Sequence, residues 1–359
     1  MSANHRSQLF SPLTIGDVTF SNRAWISPMC QYSAGEDGVP HNWHLIHLGQ
    51  FAMGGAGLIL TEATSVSPEG RLSPNDTGLW NDEQAAGWKP IVDFVHEQET
   101  HIGVQLVHSG RKASTSTPWT GTGYVTPADG GWTTLAPSPI AFAGLPEPEE
   151  LTASEIERII GDFVSATRRA IQCGFDVIEL HAAHGYLLNQ FLSPLSNQRA
   201  DGYGGDFEGR TRLLREVVAA VREVWTPGRP LFVRVSATDW TEGGWSIEDT
   251  VQLSAVLKNL GVDLIDCSTG GIVRTTIPIG AGYQVPFAAQ VKAETGITTS
   301  AVGLITDATQ AETIIRSGQA DAVMLGRAVL RDPHWINGAA EQLGAEPRWP
   351  DQYAAAALN

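Results

Sequence analysis

Residues 172–186 read QCGFDVIELHAAHGY. The stretch runs from a glycine suited to the left-handed turn that ends a helix, through a short link, into an apolar run of strand length. It ends in polar residues, His181, His184 and Tyr186. The same plan recurs in NLGVDLIDC (259–267), SGQADAVML (317–325) and MGGAGLIL (53–60). Widening the search for such runs gives eight predicted strands: RAWIS (23–27), GLILTE (57–62), GVQLVH (103–108), DVIELH (176–181), LFVRVS (231–236), DLIDCS (263–268), TTSAVG (298–303) and AVMLGR (322–327).

Helical periodicity fills segments between them, among them EIERIIGDFVSATRRAI (155–171), RLLREVVAAVREVW (212–225), DTVQLSAVLKNL (249–260) and QAETIIRS (310–317). Thr152 with Glu155, and Ser246 with Asp249, have capping-box spacing. Near-continuous apolar strands joined by helical crossovers argue for a parallel sheet covered by helices. An open doubly wound sheet usually carries GxGxxG after its first strand, and none follows RAWIS or GLILTE. The sequence therefore predicts an α/β fold, a single (β/α)8 TIM barrel over residues 1–359. Residues 109–150, rich in Thr, Pro, Gly and Trp, are expected to form a long loop after the third strand, acting as a lid. The chain before Arg23 is expected to plug the barrel floor.

Composition narrows the function. Lys+Arg 23 against Asp+Glu 39 gives a formal charge of -16, and no basic stripe is present to neutralise phosphates, so nucleic-acid binding is not expected. No apolar run has the length of a bilayer span or a signal peptide, which predicts a cytoplasmic protein without a membrane partner. Cys30, Cys173 and Cys267 are too scattered for a disulfide framework or a CxxC cluster, and a reduced compartment fits them.

Barrel chemistry arises at the C-terminal ends of strands. Here those ends carry Ser27, Pro28, Met29, Cys30 and Tyr32, then Glu62 and Ala63, Gln105 and His108, the His181/His184/Tyr186 group, and Arg234. His-x-x-His lacks both the HExxH spacing and an evident third ligand, so no metal site is predicted; a core role for one histidine stays open. Gly303, Gly326 and Arg327 follow the last two strands, where glycine lets backbone N–H groups approach a phosphate and arginine grips it.

Seven segments in order, SPMCQYS (27–33), EATSVSPEGR (62–71), QLVHSGRKA (105–113), HAAHGYLLNQFLSPLSNQRADGYGG (181–205), RVSATDW (234–240), AVGLI (301–305) and MLGRAVLRDPHW (324–335), resemble the Old Yellow Enzyme family of flavin-dependent ene-reductases. The resemblance is strongest to its bacterial thermophilic-like subgroup, which has an active-site cysteine on the first strand. It implies non-covalent FMN, its isoalloxazine held around Ser27, Pro28, Met29, Cys30, Ala63, Gln105 and Arg234, its phosphate by Gly303, Gly326 and Arg327. It implies NADPH or NADH as reductant and small activated alkenes as oxidants, in a ping-pong cycle. In that setting His181 and His184 are expected to donate hydrogen bonds to a carbonyl or nitro oxygen, Tyr186 to deliver a proton, Tyr32 to contact the substrate or flavin edge, and Cys30 to tune the flavin.

A homodimer or homotetramer is implied as well. The subgroup's arginine after a C-terminal Gln-Tyr pair is missing, since Gln352 and Tyr353 run into alanines. Larger relatives with an iron-sulfur cluster and a second dinucleotide domain are disfavoured by the scattered cysteines and by the end of the chain after the eighth unit. A sugar-phosphate aldolase or isomerase would need a strand-end lysine, whereas Lys89, Lys258 and Lys292 lie in helical stretches and Lys112 in the loop after strand three. A silent flavin-storage protein would have no use for the His181, His184 and Tyr186 group.

Overall fold

Eight parallel strands close on themselves in the computed structural model, which describes residues 7–121 and 123–357. They are β1 (Ala24–Ile26), β2 (Leu58–Ser65), β3 (His101–Val107), β4 (Val177–Ala182), β5 (Leu231–Ser236), β6 (Leu264–Ser268), β7 (Thr298–Ala301) and β8 (Ala322–Leu325). Each neighbours the next in chain order. β8 pairs with β1 through Val323–Ala24 and Leu325–Ile26, so the sheet has no edge. All eight predicted strands are present.

The crossovers are α1 (Asn42–Met53), α2 (Asp82–Glu97), α3 (Ala153–Cys173), α4 (Phe207–Val224), α5 (Ile247–Asn259), α6 (Val285–Thr295) and α7 (Ala308–Arg316), with α8 (Trp335–Gln342) after β8. Two shorter helices, Leu187–Leu192 and Arg327–Arg331, follow β4 and β8. Both predicted capping boxes form. Thr152 Oγ1 accepts from Glu155 N while the Glu155 carboxylate accepts from Thr152 N, and Ser246 with Asp249 do the same. At the other end of α3, Gly174 takes φ +90, and the chain turns directly into β4. Ile156, Ile159, Phe163, Ala166 and Ala170 form the buried stripe of α3, and truncating the fully buried Phe163 to alanine would cost about 3–5 kcal/mol.

Inside the barrel, alternation along the strands builds layers. Val177, Phe232 and Leu264 join Trp25, Leu58, Leu60 and Met324 in an apolar layer at the N-terminal end. Two residues further along β4, β5 and β6 the same face carries Glu179, Arg234 and Asp266, and two further again His181, Ser236 and Ser268. The barrel is therefore dry at one end and polar at the other.

The floor plug is a hairpin, Leu13–Ile15 against Val18–Phe20, whose Ile15 and Phe20 close the apolar layer. Phe20 packs 4.8 Å from Trp25, which stacks on Phe232 at 5.9 Å. Residues 1–6 of the predicted plug lie outside the described residues. The stretch 109–150 is more ordered than the sequence suggests. Leu135–Ala136 pairs in parallel with Glu149–Glu150, Thr115 N donates to Leu72 O, and the Arg71 guanidinium lies between Trp80 and Trp132, 5.3 and 4.9 Å from their rings.

Candidate active site

The polar end of the barrel gathers the predicted site residues. Ser27, just past β1, is buried and donates its N–H to Leu325 O, which fixes the start of the Pro28–Met29–Cys30 turn against β8. Glu62, within β2, accepts from Gln31 N at 2.8 Å and lies 3.3 Å from His44 Nε2, so a buried carboxylate holds the turn that presents Cys30 and Tyr32. Ala63 follows a register shift in β2 and pairs beside Gln105. The Gln105 amide donates to Glu179 Oε1 at 2.7 Å.

Beneath the mouth, Arg234 Nε lies 2.8 Å from Asp266 Oδ2, an ion pair whose N–H is not aligned for a hydrogen bond. Ser300 donates to the other oxygen of Asp266 at 2.8 Å. Burial first, then the charge of Asp266, pushes the Glu179 carboxyl well above the usual carboxylate range, and one of its oxygens has no partner. The layer therefore favours a protonated Glu179 beside the Arg234–Asp266 ion pair.

His181, His184 and Tyr186 form one cluster. The His181 and His184 rings are nearly perpendicular with centroids 5.1 Å apart, and Tyr186 lies 4.9 Å from His181. His184 is held in the left-handed region, φ +58, by bonds at both ends of its backbone: its N–H donates to Ser236 Oγ, and its carbonyl accepts from Lys112 Nζ, each at 2.8 Å. Gly185 follows because a Cβ there would sit 2.1 Å from Gly271 O.

The ring bonds form a chain. Ala183 N donates to His181 Nδ1 at 3.3 Å, so His181 carries its proton on Nε2, 3.3 Å from His184 Nδ1; His184 Nε2 is then the donor to Ser268 Oγ at 2.6 Å. Both histidine pKa values are lowered well below the ordinary 6.5 by burial, then by neighbouring positive groups, so both rings are neutral. Among the described residues no group of three or more His, Cys, Asp or Glu could hold a metal.

Tyr186 keeps its proton. Burial, followed by the Cys30, Tyr32 and Asp76 charges, raises its phenol well above 10. Lys112 Nζ stands 5.2 Å from its ring centroid, and burial followed by Arg111 lowers that ammonium to about 8. Burial first, then Asp76 and Glu62, pushes the Cys30 thiol up, so Cys30 is no thiolate at neutral pH. Tyr32, Lys112 and Tyr186 line a cavity of about 340 Å³ whose far wall is Phe142–Leu145 of the 109–150 stretch.

A second cavity, about 270 Å³, lies past β7 and β8 and is lined by Gly303, Gly326 and Arg327, the three predicted phosphate residues, with Arg331. A side chain at Gly326 would meet only Met29 Sδ, at 3.8 Å, so the space above it is open. The free N–H groups at the start of the Arg327–Arg331 helix border the same space. Two guanidiniums, bare backbone donors and unsatisfied polar atoms on Glu179 and Arg234 between the cavities fit a flavin mononucleotide lying across the mouth.

Reading the sequence alone missed Ser268, Glu179 and Asp266 as participants. The signal for the last two was present: an acidic residue at the centre of an otherwise apolar strand, in VIEL and LIDC.

Comparison with known proteins finds relatives over nearly the whole chain. The model of the NADH:flavin oxidoreductase / NADH oxidase family matches residues 8–346. The NADPH dehydrogenase of Bacillus cytotoxicus is 47% identical over 352 residues, 98% of this chain and 97% of that protein. That of Geobacillus thermodenitrificans is 46% identical over 347 residues, 96% and 97%. Among solved structures, morphinone reductase in complex with tetrahydroNAD superposes with a TM-score of 0.78 at 30% identity over 97% of this chain and 94% of that one. An Old Yellow Enzyme homologue from Zymomonas mobilis gives 0.78 at 27% identity over 96% of each. The chain thus belongs to the NADH:flavin oxidoreductase / NADH oxidase family, the Old Yellow Enzyme family of FMN-dependent, NAD(P)H-oxidising enzymes.

Proposed function

We propose that this oxidoreductase is an ene-reductase that reduces α,β-unsaturated carbonyl or nitro compounds in a ping-pong cycle with NADPH or NADH. Bound FMN supplies the hydride chemistry, held by Ser27, Pro28, Met29, Cys30, Ala63, Gln105 and Arg234 at its ring and by Gly303, Gly326 and Arg327 at its phosphate. The observation that carries the reading is the approach of His181 Nε2 to His184 Nδ1 at 3.3 Å, beside Tyr186. An oxygen lying off the line between those nitrogens can accept from both.

For that, His184 must move its proton to Nδ1, and Ser268 must turn its hydroxyl to donate to Nε2. Ser268 is free to do so, because its acceptor Gln284 Oε1 is also served by Thr269 at 2.7 Å. The pair then stabilises negative charge growing on the substrate oxygen, a contribution of about 3 kcal/mol per donor in comparable sites. Tyr186, protonated throughout the neutral range, delivers its proton to the α-carbon from the opposite face, with the Lys112 ammonium near its ring to stabilise the phenolate left behind. Tyr32 contacts the substrate edge, and Cys30, as a thiol, tunes the ring beside it. The 109–150 stretch excludes water as a lid, and the enzyme works in the cytoplasm as a homodimer or homotetramer. The similarity to morphinone reductase, whose structure is in complex with tetrahydroNAD, supports a nicotinamide as the reductant.

The test is an anaerobic spectrum. Purified protein is expected to carry a yellow flavin band that bleaches with NADPH and returns with cyclohexenone. A band that bleaches and never returns with any activated alkene refutes the ene-reductase reading, and a protein that cannot be reconstituted with FMN refutes the flavin site.

A further inference from the structure

The cavity over Tyr32 and Tyr186 has a charge asymmetry that hydride and proton transfer do not require. The chain carries a formal charge of -16, yet among the described residues the only charged ones lining this cavity are two cations, Lys112 and Arg274. Lys112 is deep and committed, its ammonium donating to His184 O and Gly271 O. Arg274 is different. It lies exposed on the loop after β6 and reaches toward the 109–150 stretch, where a Cβ at Gly144 would meet its Nη2 at 3.7 Å. It makes no hydrogen bond or ion pair with any described residue. A guanidinium held at a cavity mouth without a carboxylate, in a chain with 39 acidic residues, is poised for an anion brought by the ligand.

We propose that Arg274 is the docking point for an anionic group of the ligand that enters this cavity. The inference rests on the function proposed above. Tyr186, which packs 4.9 Å from His181, lines this cavity, so a nicotinamide or an alkene at the His181–His184 pair has the space between Phe142–Leu145 and Arg274 beside it for the rest of the molecule. Two ligands present an anion there, the diphosphate of the reductant or a carboxylate on the alkene, and both match the planar fork of arginine.

The experiment compares the wild-type holoenzyme with Arg274→Gln by anaerobic stopped flow. The reductants are NADPH and the neutral 1-benzyl-1,4-dihydronicotinamide; the oxidants are cyclohexenone and a cyclohexenone bearing a carboxylate. The expected result is an apparent NADPH affinity about fivefold weaker in the variant, a difference that shrinks as salt rises, as for an exposed charge pair. The neutral reductant is expected to react alike in both proteins. A loss confined to the carboxylated enone also supports the site and assigns it to the alkene. Unchanged behaviour in both anionic arms overturns the inference, as does an equal loss with the neutral compounds, which would mark a structural defect. If no reductant bleaches the wild-type protein, the flavin reading itself fails and takes this inference with it.

Discussion

Replacing Ser268 by alanine should separate the two half-reactions. Its hydroxyl lies 2.6 Å from His184 Nε2 and 3.3 Å from Gln284 Oε1. When His184 offers its proton at Nδ1 to a substrate oxygen, Nε2 becomes an acceptor, and the Ser268 hydroxyl is the donor bonded to it. Without that hydroxyl a buried ring nitrogen goes unpaired, at a cost of about 1–3 kcal/mol. At 1.36 kcal/mol per decade this is a rate loss of roughly 5- to 150-fold. The ceiling is set by deleting a whole oxyanion donor, about 10²- to 10³-fold.

The loss should fall on one half-reaction only. In the proposed reaction negative charge grows on the enone oxygen held by the histidines, whereas oxidation of the nicotinamide builds no anion on its carboxamide. There the histidine pair contributes to binding alone, so the limiting rate of bleaching by NADPH should change by less than about threefold. Stopped-flow measurement of both half-reactions checks this, with Ser268→Thr as the variant that keeps a hydroxyl and should recover most of the rate. Equal slowing of both half-reactions, or a threonine variant as slow as the alanine one, would refute the tautomer argument.

Tyr186→Phe should reduce cyclohexenone turnover by about 100-fold or more, while NADPH still bleaches the flavin at a near wild-type limiting rate; steady-state and single-turnover assays together read this. The pH profile of enone reduction should show no break near 6.5, because both histidines are already neutral there. It should fall above about 8, where Lys112 loses its charge beside Tyr186, and Lys112→Met should remove that alkaline limb. At the opposite barrel face, Asp176→Ala should destabilise the fold by about 2 kcal/mol without changing activity, since one carboxylate oxygen serves His96, His101 and Ile102 N. The Asp176 carboxyl is held low, so its stabilisation is present above the usual carboxylate range and lost as pH falls through it. His96 is raised, so its share is present below about 6.5 and fades as pH climbs past its folded value. Thermal melts should therefore show a larger deficit for the variant at pH 5.5 than at 8.5.

The barrel was legible because its signals are local. Gly174, Gly261 and Gly318 each follow a helix at φ above +70 and precede an apolar strand, so three copies of one junction set the period. The amphipathic α3 and α7 stood out, but α1 and α2 did not. α1 buries His44, His47, Leu48 and Phe51 while exposing Trp43 and Ile46, which leaves little contrast between its faces; α2 carries Pro90 in its interior. The order of the stretch 109–150 was hidden because it depends on distant partners, Leu72, Trp80 and Arg71. Site residues at strand ends could be read from strand order alone. The hydrogen bond from His184 to Ser268 joins residues 84 apart, and no spacing rule reaches that far.

The polar middle of the barrel explains why this fold is not simply a packed core. Hydrophobic residues of similar volume at Glu179, Arg234 and Asp266 would be neutral or even stabilising in a generic barrel, since buried ion pairs rarely repay their desolvation. Here each carries a constraint upward. Glu179 takes the amide of Gln105 and so fixes which end of that side chain faces the mouth. Asp266, steadied by Ser300, engages Arg234 at Nε, and the two terminal nitrogens make no hydrogen bond among the described residues. With the Glu179 and Asp266 carboxyls both pushed up by burial, the layer carries less negative charge than its two acids suggest, and Arg234 stands in it with Asp266 as its partner. The apolar layer of Trp25, Phe232 and Leu264 below supplies the packing that lets the strands tolerate this cost. Stability is thus concentrated at the N-terminal end and electrostatic preorganisation at the C-terminal end, one side-chain layer apart along the same strands.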